Sequence, residues 1–293
     1  MLSESRLSTG GAVRPGTLYV VATPIGNLED ITLRALRILK EVDLIACEDT
    51  RHTAKLLQHY GISTPRESYH AHNETQKTPR LLAMLHEGRR IALVSDAGTP
   101  LVSDPGYRLV SECRMESIRV IAVPGASAAV AALSASGLAT DTWLFAGYPP
   151  ARTGARRDWL KELAPVQATL VFYEAPHRLL PSLKDMISIL GPRRACLARE
   201  LTKLHEEWVV GTLAEISNIM ANRLRIQGEI TVVVDRGTAR ESVSSHPESI
   251  VAHLERVMAT TSLSQKEALK QVARDRGIPR REAYLQLLAE KGN

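Results

Sequence analysis

The sequence predicts an α/β protein with two α/β domains followed by a small C-terminal helical segment. Short runs rich in Val, Ile and Leu alternate with helical patterns along most of the 293 residues. Phenylalanine occurs only twice, so aliphatic side chains must build the core, as they do in sheets covered by helices. The alternation is interrupted at Gly147, where two prolines and a basic stretch follow. We therefore predict a domain boundary at that point.

The chain divides into five predicted segments. Its first residues are polar and lack a long apolar centre, so we expect a mobile tail and no secretory signal. Residues 238–248 carry Ser, His, Pro and Thr without periodicity, which is typical of a linker. In chain order we predict a tail at 1–15, an N-terminal α/β domain at 16–146, a second α/β domain at 147–237, a linker at 238–261 and a helix-turn-helix-like segment at 262–293.

The individual elements follow from hydrophobic periodicity and from turn residues. The first domain has the strand–helix alternation of a largely parallel sheet, and the second resumes this alternation. Predicted strands are 18–22, 44–46, 91–94, 120–123, 170–173, 196–198 and 230–234. Predicted helices run from 27 to about 39 and over 50–59, 107–116, 126–135, 179–190 and 213–224.

The C-terminal segment contains two predicted helices, 265–276 and 279–289. Ser264 and Glu267 form a capping-box pattern at the start of the first helix. Two helices joined by a short turn resemble a helix-turn-helix, and this pair carries more Lys and Arg than Asp and Glu. Two interpretations stay open: a solvated helical hairpin packed on the main body, or a contact with nucleic acid.

Composition narrows the class of protein. A formal net charge of +5 permits a nucleic-acid partner without requiring one. No apolar run reaches about 18 residues, so we expect no membrane span. Cys47, Cys113 and Cys196 lie far apart and offer neither a CxxC pair nor a zinc-ligand spacing. We expect a reduced, cytoplasmic protein without a metal site.

Three loops directly follow predicted strands of the first domain, at 22–27, 95–106 and 124–129. The middle loop carries Asp96 and Asp104, which no local turn requires. Gly and Pro in such loops can serve only to turn the chain, and small residues can serve only to pack a helix closely. Ligands of open α/β domains nevertheless bind at the carboxyl ends of strands. We therefore expect the three loops to line one crevice.

Charged stretches in the second domain, 173–178, 199–203 and 228–230, also adjoin predicted strands. Exposed charged residues are usually solvated, so no single stretch identifies a site. His177 fits the start of a helix as well as it fits a catalytic role. These stretches become candidates for a site only in combination with the loops of the first domain.

Seven motifs occur in a fixed order, namely VATPIGNLEDIT, ACEDTRHT, SDAGTPLVSDPG, PGASA, FAGYPP, YEAPHR and RELTK. From about residue 16 to 236, the chain resembles the bacterial small-subunit rRNA (cytidine-2'-O-)-methyltransferase family of the tetrapyrrole-methylase superfamily. The resemblance implies two α/β domains of the tetrapyrrole-methylase type, with S-adenosylmethionine held in the cleft between them. It also implies a homodimer that methylates the 2'-hydroxyl of a cytidine in the decoding region of 16S rRNA, in the small ribosomal subunit.

The resemblance also assigns residues to the cofactor. The implied cofactor-binding positions are Pro24, Asp96, Ala97, Gly98, Thr99, Pro100, Ser127 and Ala128 from the first half, with Phe145, Gly147, Glu174, Gly228 and Glu229 from the second. The match is incomplete at three places. Ala22 stands where Gly is common in the family, residues 148–152 replace a Phe-Leu-Pro stretch followed by Lys, and Gln227 stands where a basic residue is frequent. Gln227 therefore cannot have a cationic role.

The expected reaction needs alignment of the reactants and an acceptor for the hydroxyl proton, because the sulfonium methyl is already activated. Candidate catalytic residues are Asp49, His52, Asp104 and His177. Candidate phosphate contacts are Arg51, Arg152, Arg156, Arg157 and Lys203. We hypothesise that the turn at 48–52 faces the acceptor ribose. Two rival functions remain: a precorrin-type tetrapyrrole methyltransferase, and a non-catalytic rRNA-binding assembly factor.

Overall fold

A computed structural model describes residue 14, residues 16–237, 249–261 and 263–276, residue 278 and residues 280–291. Most of the predicted tail and residues 238–248 of the predicted linker lie outside the described residues. The predicted α/β class is confirmed, with two five-stranded sheets and a C-terminal group of helices. Within the described residues, no helix is both long and apolar enough to cross a membrane.

The first sheet is entirely parallel, with strand order β3-β2-β4-β1-β5. Helices cover both faces: Tyr19 and Val21 of one strand pack on one face, and Leu18 packs on the other. A strand buried on both faces reads as a continuous apolar run, which is why the sequence shows no alternation. The elements are β1 (Thr17–Val21), α1 (Leu33–Glu41), β2 (Leu44–Cys47), α2 (Thr50–His59), β3 (Arg66–Ser68), α3 (Glu74–His86), β4 (Arg90–Val94), α4 (Tyr107–Met115) and β5 (Arg119–Val123).

The helix α5 (Ala128–Ala135) follows β5 but packs on the second sheet. Its buried Ala129, Ala132 and Leu133 join an apolar cluster with Val171 and Val233. The small side chains allow the helix to approach the strands closely. A helix that begins at the edge of the first sheet therefore forms part of the core of the second.

The second sheet has strand order β6-β7-β10-β8-β9, and only its β6–β7 pair is parallel. The predicted boundary at 147 cuts through β6, which pairs within this sheet, so the change of sheet comes before Trp143. Helices α6, α7 and α8 cover the face opposite α5. The elements are β6 (Trp143–Gly147), α6 (Thr153–Leu163), β7 (Thr169–Glu174), α7 (Leu179–Leu190), β8 (Arg194–Arg199), β9 (Glu207–Thr212), α8 (Leu213–Ala221) and β10 (Ile230–Val234).

The C-terminal segment forms three helices around an apolar cluster of its own. They are α9 (Ile250–Thr260), α10 (Gln265–Asp275) and α11 (Arg280–Lys291). Within the predicted linker 238–261, the structure has the helix α9, whose buried Ile250 and Leu254 pack against the other two helices. The capping box of Ser264 and Glu267 is present, as predicted.

Candidate functional site

The three loops at the carboxyl edge of the first sheet meet, as the strand-end pattern predicts. Thr23 and Gly98 exchange two backbone hydrogen bonds of 2.9 and 3.0 Å, which join the loops after β1 and β4. The Thr99 hydroxyl donates to the carbonyl of Ala126 at 3.1 Å and thereby adds the loop after β5. Gly98 adopts a φ of 79°, a conformation that glycine reaches without strain. One continuous backbone surface results.

Opposite this surface lies a second wall, formed by the second sheet where the start of β10 meets the ends of β7 and β8. The antiparallel register places Ile230, the first residue of β10, opposite Glu174 of β7 and Arg199 of β8. The amide of Glu229 donates to a carboxylate oxygen of Glu200 at 2.9 Å, so the loops before β10 and after β8 are joined. Three charged stretches that are distant in sequence therefore lie together.

A cavity of about 380 Å³, here called the cleft, lies between the two walls. Nine predicted cofactor residues line it, together with the predicted catalytic Asp104. Its two tyrosines, Tyr148 and Tyr173, were not among the predicted site residues. The lining residues are Ile25, Asp96, Ala97, Gly98, Thr99, Val102, Ser103, Asp104, Ser127, Ala128, Tyr148, Tyr173, Glu174, Ala175, Pro176, Gly228, Glu229, Ile230 and Thr231.

The remaining predicted cofactor residues do not line the cleft. Pro24 lines a neighbouring cavity, and Pro100 is buried. The Phe145 ring packs edge-on against Tyr173, with 4.9 Å between ring centroids. Gly147 has a φ of 71° and ends β6. Phe145 therefore supports a residue that lines the cleft without lining the cleft itself.

Tyr173 connects the two halves of the site. Its hydroxyl accepts a hydrogen bond of 3.1 Å from the amide of Ala129, in the first turn of α5. The Tyr148 ring packs on Tyr173 with 5.6 Å between centroids. The contact of Tyr173, the second-last residue of β7, gave no sequence signal, because its partner Ala129 lies 44 residues away.

Carboxylates dominate the electrostatics of the cleft. Burial, together with the negative charge of Asp96, raises the pKa of Asp104, although a hydrogen bond with Ser95 opposes the shift. Burial and the neighbouring aspartates, including Asp104 and Asp96, also raise the pKa of Glu48, which sequence reasoning named only as part of a turn. The amide of Asp49 donates to Asp96 at 3.0 Å and holds that carboxylate in place. This arrangement suits a positively charged ligand.

Glu174 lines the cleft, but its carboxylate already has partners in its own half. It accepts hydrogen bonds from the amide of Ala175 at 2.8 Å and from the Ser182 hydroxyl. Arg178 forms an ion pair with it at 3.1 Å. A buried carboxylate must be paired in this way, so Glu174 fixes the wall of the cleft.

A second cavity of about 400 Å³, here called the side cavity, adjoins the cleft. Ile25, Asp96, Ala97 and Glu229 line both cavities and form a shared wall. The predicted residues His52, Pro24 and Lys203 line only the side cavity. Its other lining residues are Thr23, Gly26, Leu28, Thr53, Lys55, Leu56 and Ser95.

Lys203 reaches the side cavity from the second half of the chain. Its ammonium group lies 2.8 Å from Glu200 and 3.0 Å from Glu229. A Cβ added at Gly26 would lie 2.4 Å from Cγ of Lys203, so the absence of a side chain at Gly26 permits this approach. Lys203 therefore connects the two walls and has its charge compensated.

Two predicted catalytic residues lie outside both cavities. Asp49 is the N-cap of α2 and forms an ion pair with Arg51 at 3.0 Å. Hydrogen bonds from Arg51 hold the pKa of Asp49 at about 2. His177 is exposed in a short 3₁₀ helix, Pro176–Arg178. Within the described residues, no cluster of three or more His, Cys, Asp or Glu side chains is arranged to hold a metal ion.

The predicted RNA contacts divide by burial. Arg156, one of the predicted contacts, is buried: its side chain is 3% exposed and lies 2.6 Å from Asp185. It also donates to the carbonyls of Pro150 and Ala151, so it fixes the start of α6. Arg157 is half exposed and lies 3.9 Å from the same aspartate. Arg152 is exposed at the N-cap of α6.

Comparison with known proteins gives the family. Residues 17–217 match the model of the tetrapyrrole (corrin/porphyrin) methylases. The chain belongs to the tetrapyrrole methylase family. Within this family of methyltransferases it groups with proteins named ribosomal RNA small subunit methyltransferase I. The relative from Halalkalibacterium halodurans is 52% identical over 92% of this chain and 93% of its own. The relative from Escherichia coli O157:H7 is 46% identical over 94% and 96%.

Solved structures of more distantly similar proteins show the same fold. Uroporphyrin-III-C-methyltransferase from Thermus thermophilus superposes with a TM-score of 0.55 at 22% identity, covering 75% of this chain and 94% of its own. A diphthine synthase superposes with a TM-score of 0.59 at 15% identity, covering 75% and 90%. The fold is therefore shared by proteins with different names.

Proposed function

We propose that the protein is an S-adenosylmethionine-dependent methyltransferase that acts on the 2'-hydroxyl of a cytidine in the decoding region of 16S rRNA. The observation that carries the proposal is identity of up to 52%, over nearly the whole chain, to proteins named ribosomal RNA small subunit methyltransferase I. The cleft between the two sheets supports it, because it is built from loops of both halves.

The residues of the cleft fit S-adenosylmethionine. Asp96 and Asp104 suit its sulfonium charge, and the N-terminus of α5 suits its carboxylate, since helix N-termini attract anions. When bound, this cofactor would supply an activated methyl group. The residues that would hold it are Asp96, Ala97, Gly98, Thr99, Ser127, Ala128, Gly228 and Glu229.

The protein's own groups would position the acceptor hydroxyl and take its proton. Asp104 lines the cleft and has a raised pKa, which makes its carboxylate a better proton acceptor than an ordinary aspartate. His52 lines the side cavity, on the other side of the shared wall. Asp49 would act through its amide, which holds Asp96. We assign the proton-accepting role to Asp104.

The proposal includes the assembled small ribosomal subunit as substrate and a homodimer as the active form. A net charge of only +5 suits a substrate whose shape, as well as its phosphates, contributes to recognition. Large apolar side chains such as Tyr107 and Met115 are exposed in the single chain, as expected of a surface that another copy covers.

The test is methyl transfer from S-adenosylmethionine with a labelled methyl group to small ribosomal subunits that lack this enzyme's modification. Digestion of the RNA to nucleosides locates the label, and we expect it in 2'-O-methylcytidine. Cofactor binding by calorimetry without transfer would contradict the rRNA substrate and favour a tetrapyrrole acceptor. Absence of both transfer and cofactor binding would favour an assembly factor.

A further inference from the structure

The cleft and the side cavity are similar in volume, at about 380 and 400 Å³, but differ in charge. Among the described residues that line the cleft there is no Lys, Arg or His, and four are Asp or Glu. The side cavity keeps two of these carboxylates, Asp96 and Glu229, and adds His52, Lys55 and Lys203. A polyanionic ligand is therefore better accommodated in the side cavity than in the cleft.

Lys55 is the lysine of the side cavity that no carboxylate pairs with among the described residues. Lys203 lies between Glu200 and Glu229, which compensate its ammonium group. Lys55 is exposed on α2, and no ion pair involves it in the part of the chain that the structure describes. His52 lies three residues earlier, so the two side chains share a face of the helix.

The rest of the side cavity suits the ribose and base of a nucleotide. Pro24, Ile25, Leu28 and Leu56 provide apolar surface. The shared wall places this surface directly beside the cleft. A group bound in the side cavity would lie next to a ligand in the cleft, because the two cavities share four lining residues.

We propose that the side cavity binds the acceptor nucleotide of the RNA, with a phosphodiester against Lys55 and His52. This inference rests on the proposed function and replaces the expected phosphate contact of Arg51. Arg51 is paired with Asp49 and lines neither cavity. Lys55 is a binding residue here: with the phosphodiester held in the side cavity, the 2'-hydroxyl would extend past the shared wall into the cleft, where Asp104 takes its proton.

The experiment compares Lys55→Gln, Lys55→Arg and a matched control, Lys40→Gln. Lys40 is an exposed lysine near the end of α1 and lines neither cavity. Kinetics are measured with small ribosomal subunits lacking the modification, at several salt concentrations. Calorimetry with S-adenosylhomocysteine and thermal melting show whether each variant retains the cleft and the fold.

For Lys55→Gln we expect KM for the subunits to rise about tenfold, with kcat within about twofold, because one charged contact is lost. The slope of log(kcat/KM) against log salt should become shallower by about 0.7 to 0.9, the value for one phosphate. Lys55→Arg should restore both, and Lys40→Gln should change neither. Cofactor affinity should be the same in all variants.

The inference is overturned if Lys55→Gln behaves like Lys40→Gln, or if its defect lies in cofactor affinity. The proposed function fails separately, if the wild-type protein transfers no methyl group. In that case, filter binding of subunits to the same variants decides the inference. Weaker binding and a shallower salt slope for Lys55→Gln would support it, and equal binding, or no binding by wild type, would overturn it.

Discussion

The two sheets build the same cleft by different geometry. In the parallel first sheet, every contributing loop follows a strand, after β1, β4 and β5. In the second sheet, Glu174 ends β7 and Glu200 follows β8, whereas Gly228 and Glu229 precede β10. Antiparallel pairing brings these opposite strand ends to one edge. A strand-end pattern therefore predicts a site in the first sheet and only scattered candidates in the second.

The largest effect, on the free energy of unfolding, is expected from substitution of Arg156 in the second half of the chain. The sequence had suggested that this residue contacts RNA. Arg156→Met leaves the buried carboxylate of Asp185 without its main partner. Breaking a buried ion pair in this way should lower the free energy of unfolding by about 3–5 kcal/mol. Urea unfolding followed by circular dichroism measures the change.

Arg157→Gln is the matched control, because Arg157 is 49% exposed and lies 3.9 Å from the same aspartate. We expect it to change the free energy of unfolding by less than about 0.5 kcal/mol. If Arg156→Met were as stable as wild type but bound ribosomal subunits poorly, the RNA contact predicted from sequence would be correct after all.

The next largest effect is expected at Asp96, in the wall shared by the cleft and the side cavity. Asp96→Asn should lower kcat/KM for methyl transfer about 100-fold, because a positioned charge facing both ligands is lost. Asp49→Asn should stay within about twofold, since Asn also serves as an N-cap and the amide that holds Asp96 is kept. Equal losses in the two variants would contradict the assignment.

A substitution at Gly228 tests whether the loop before β10 must lie close to the loop after β8. Its φ is 88°, and an added Cβ would lie 2.5 Å from Cγ of Glu200. Gly228→Ala should therefore lower the free energy of unfolding by about 1–2 kcal/mol. Displacement of the loop should also weaken binding of S-adenosylhomocysteine about tenfold, which calorimetry measures.

Gly154→Ala serves as the control, because an added Cβ would meet nothing within 4 Å in α6. It should leave cofactor affinity unchanged and keep or raise stability by up to about 1 kcal/mol. An unchanged cofactor affinity in Gly228→Ala would show that the second sheet does not contribute that part of the cleft.

The smallest effect is expected at the opposite edge of the first sheet, where Asp43 binds Arg90 at 2.6 Å. Hydrogen bonds from Arg90 lower the pKa of Asp43 from 3.8 to about 2. Because the folded-state pKa is lowered, the stabilisation is present above about pH 4 and is lost as the pH falls towards 2. Asp43→Asn should cost about 1 kcal/mol at pH 7, after allowance for solvent screening.

Urea titrations at pH 7, 5 and 3 check this prediction, and the difference from wild type should shrink at the lowest pH. Methyl transfer at pH 7 should be unaffected, because the pair lies at the strand ends away from the cleft. A difference that grows as the pH falls would contradict the assigned pKa direction.

Elements with a clear apolar pattern were predicted well: the periodic helices α2 and α7 and the continuous apolar run of β10 have the predicted bounds. Sequence reasoning missed β3, where Arg66 is exposed and the other two residues are half-buried, and α3, which contains Pro79. It missed α6 because basic residues there suggested a surface stretch. Proline and exposure remove the periodic signal on which such predictions depend.

The part of the candidate site that could be predicted is the part whose residues directly follow strands of the parallel sheet. Asp96 and Ser127 follow strands of a parallel sheet, so their proximity could be inferred. The Tyr173 contact with α5 and the burial of Arg156 depend on packing between distant segments. Lys55 was not predicted either. In the sequence, a single lysine on a helix cannot be distinguished from a solvated surface residue, and only the structure shows that it lines a cavity.

The central claim is that both sheets hold the cofactor, and a crystal structure with bound S-adenosylhomocysteine tests it most directly. The account predicts a ligand in contact with Asp96 and Ser127 of one wall and with Gly228 and Glu229 of the other. A ligand bound only to residues of the first half, or located in the side cavity, would contradict it.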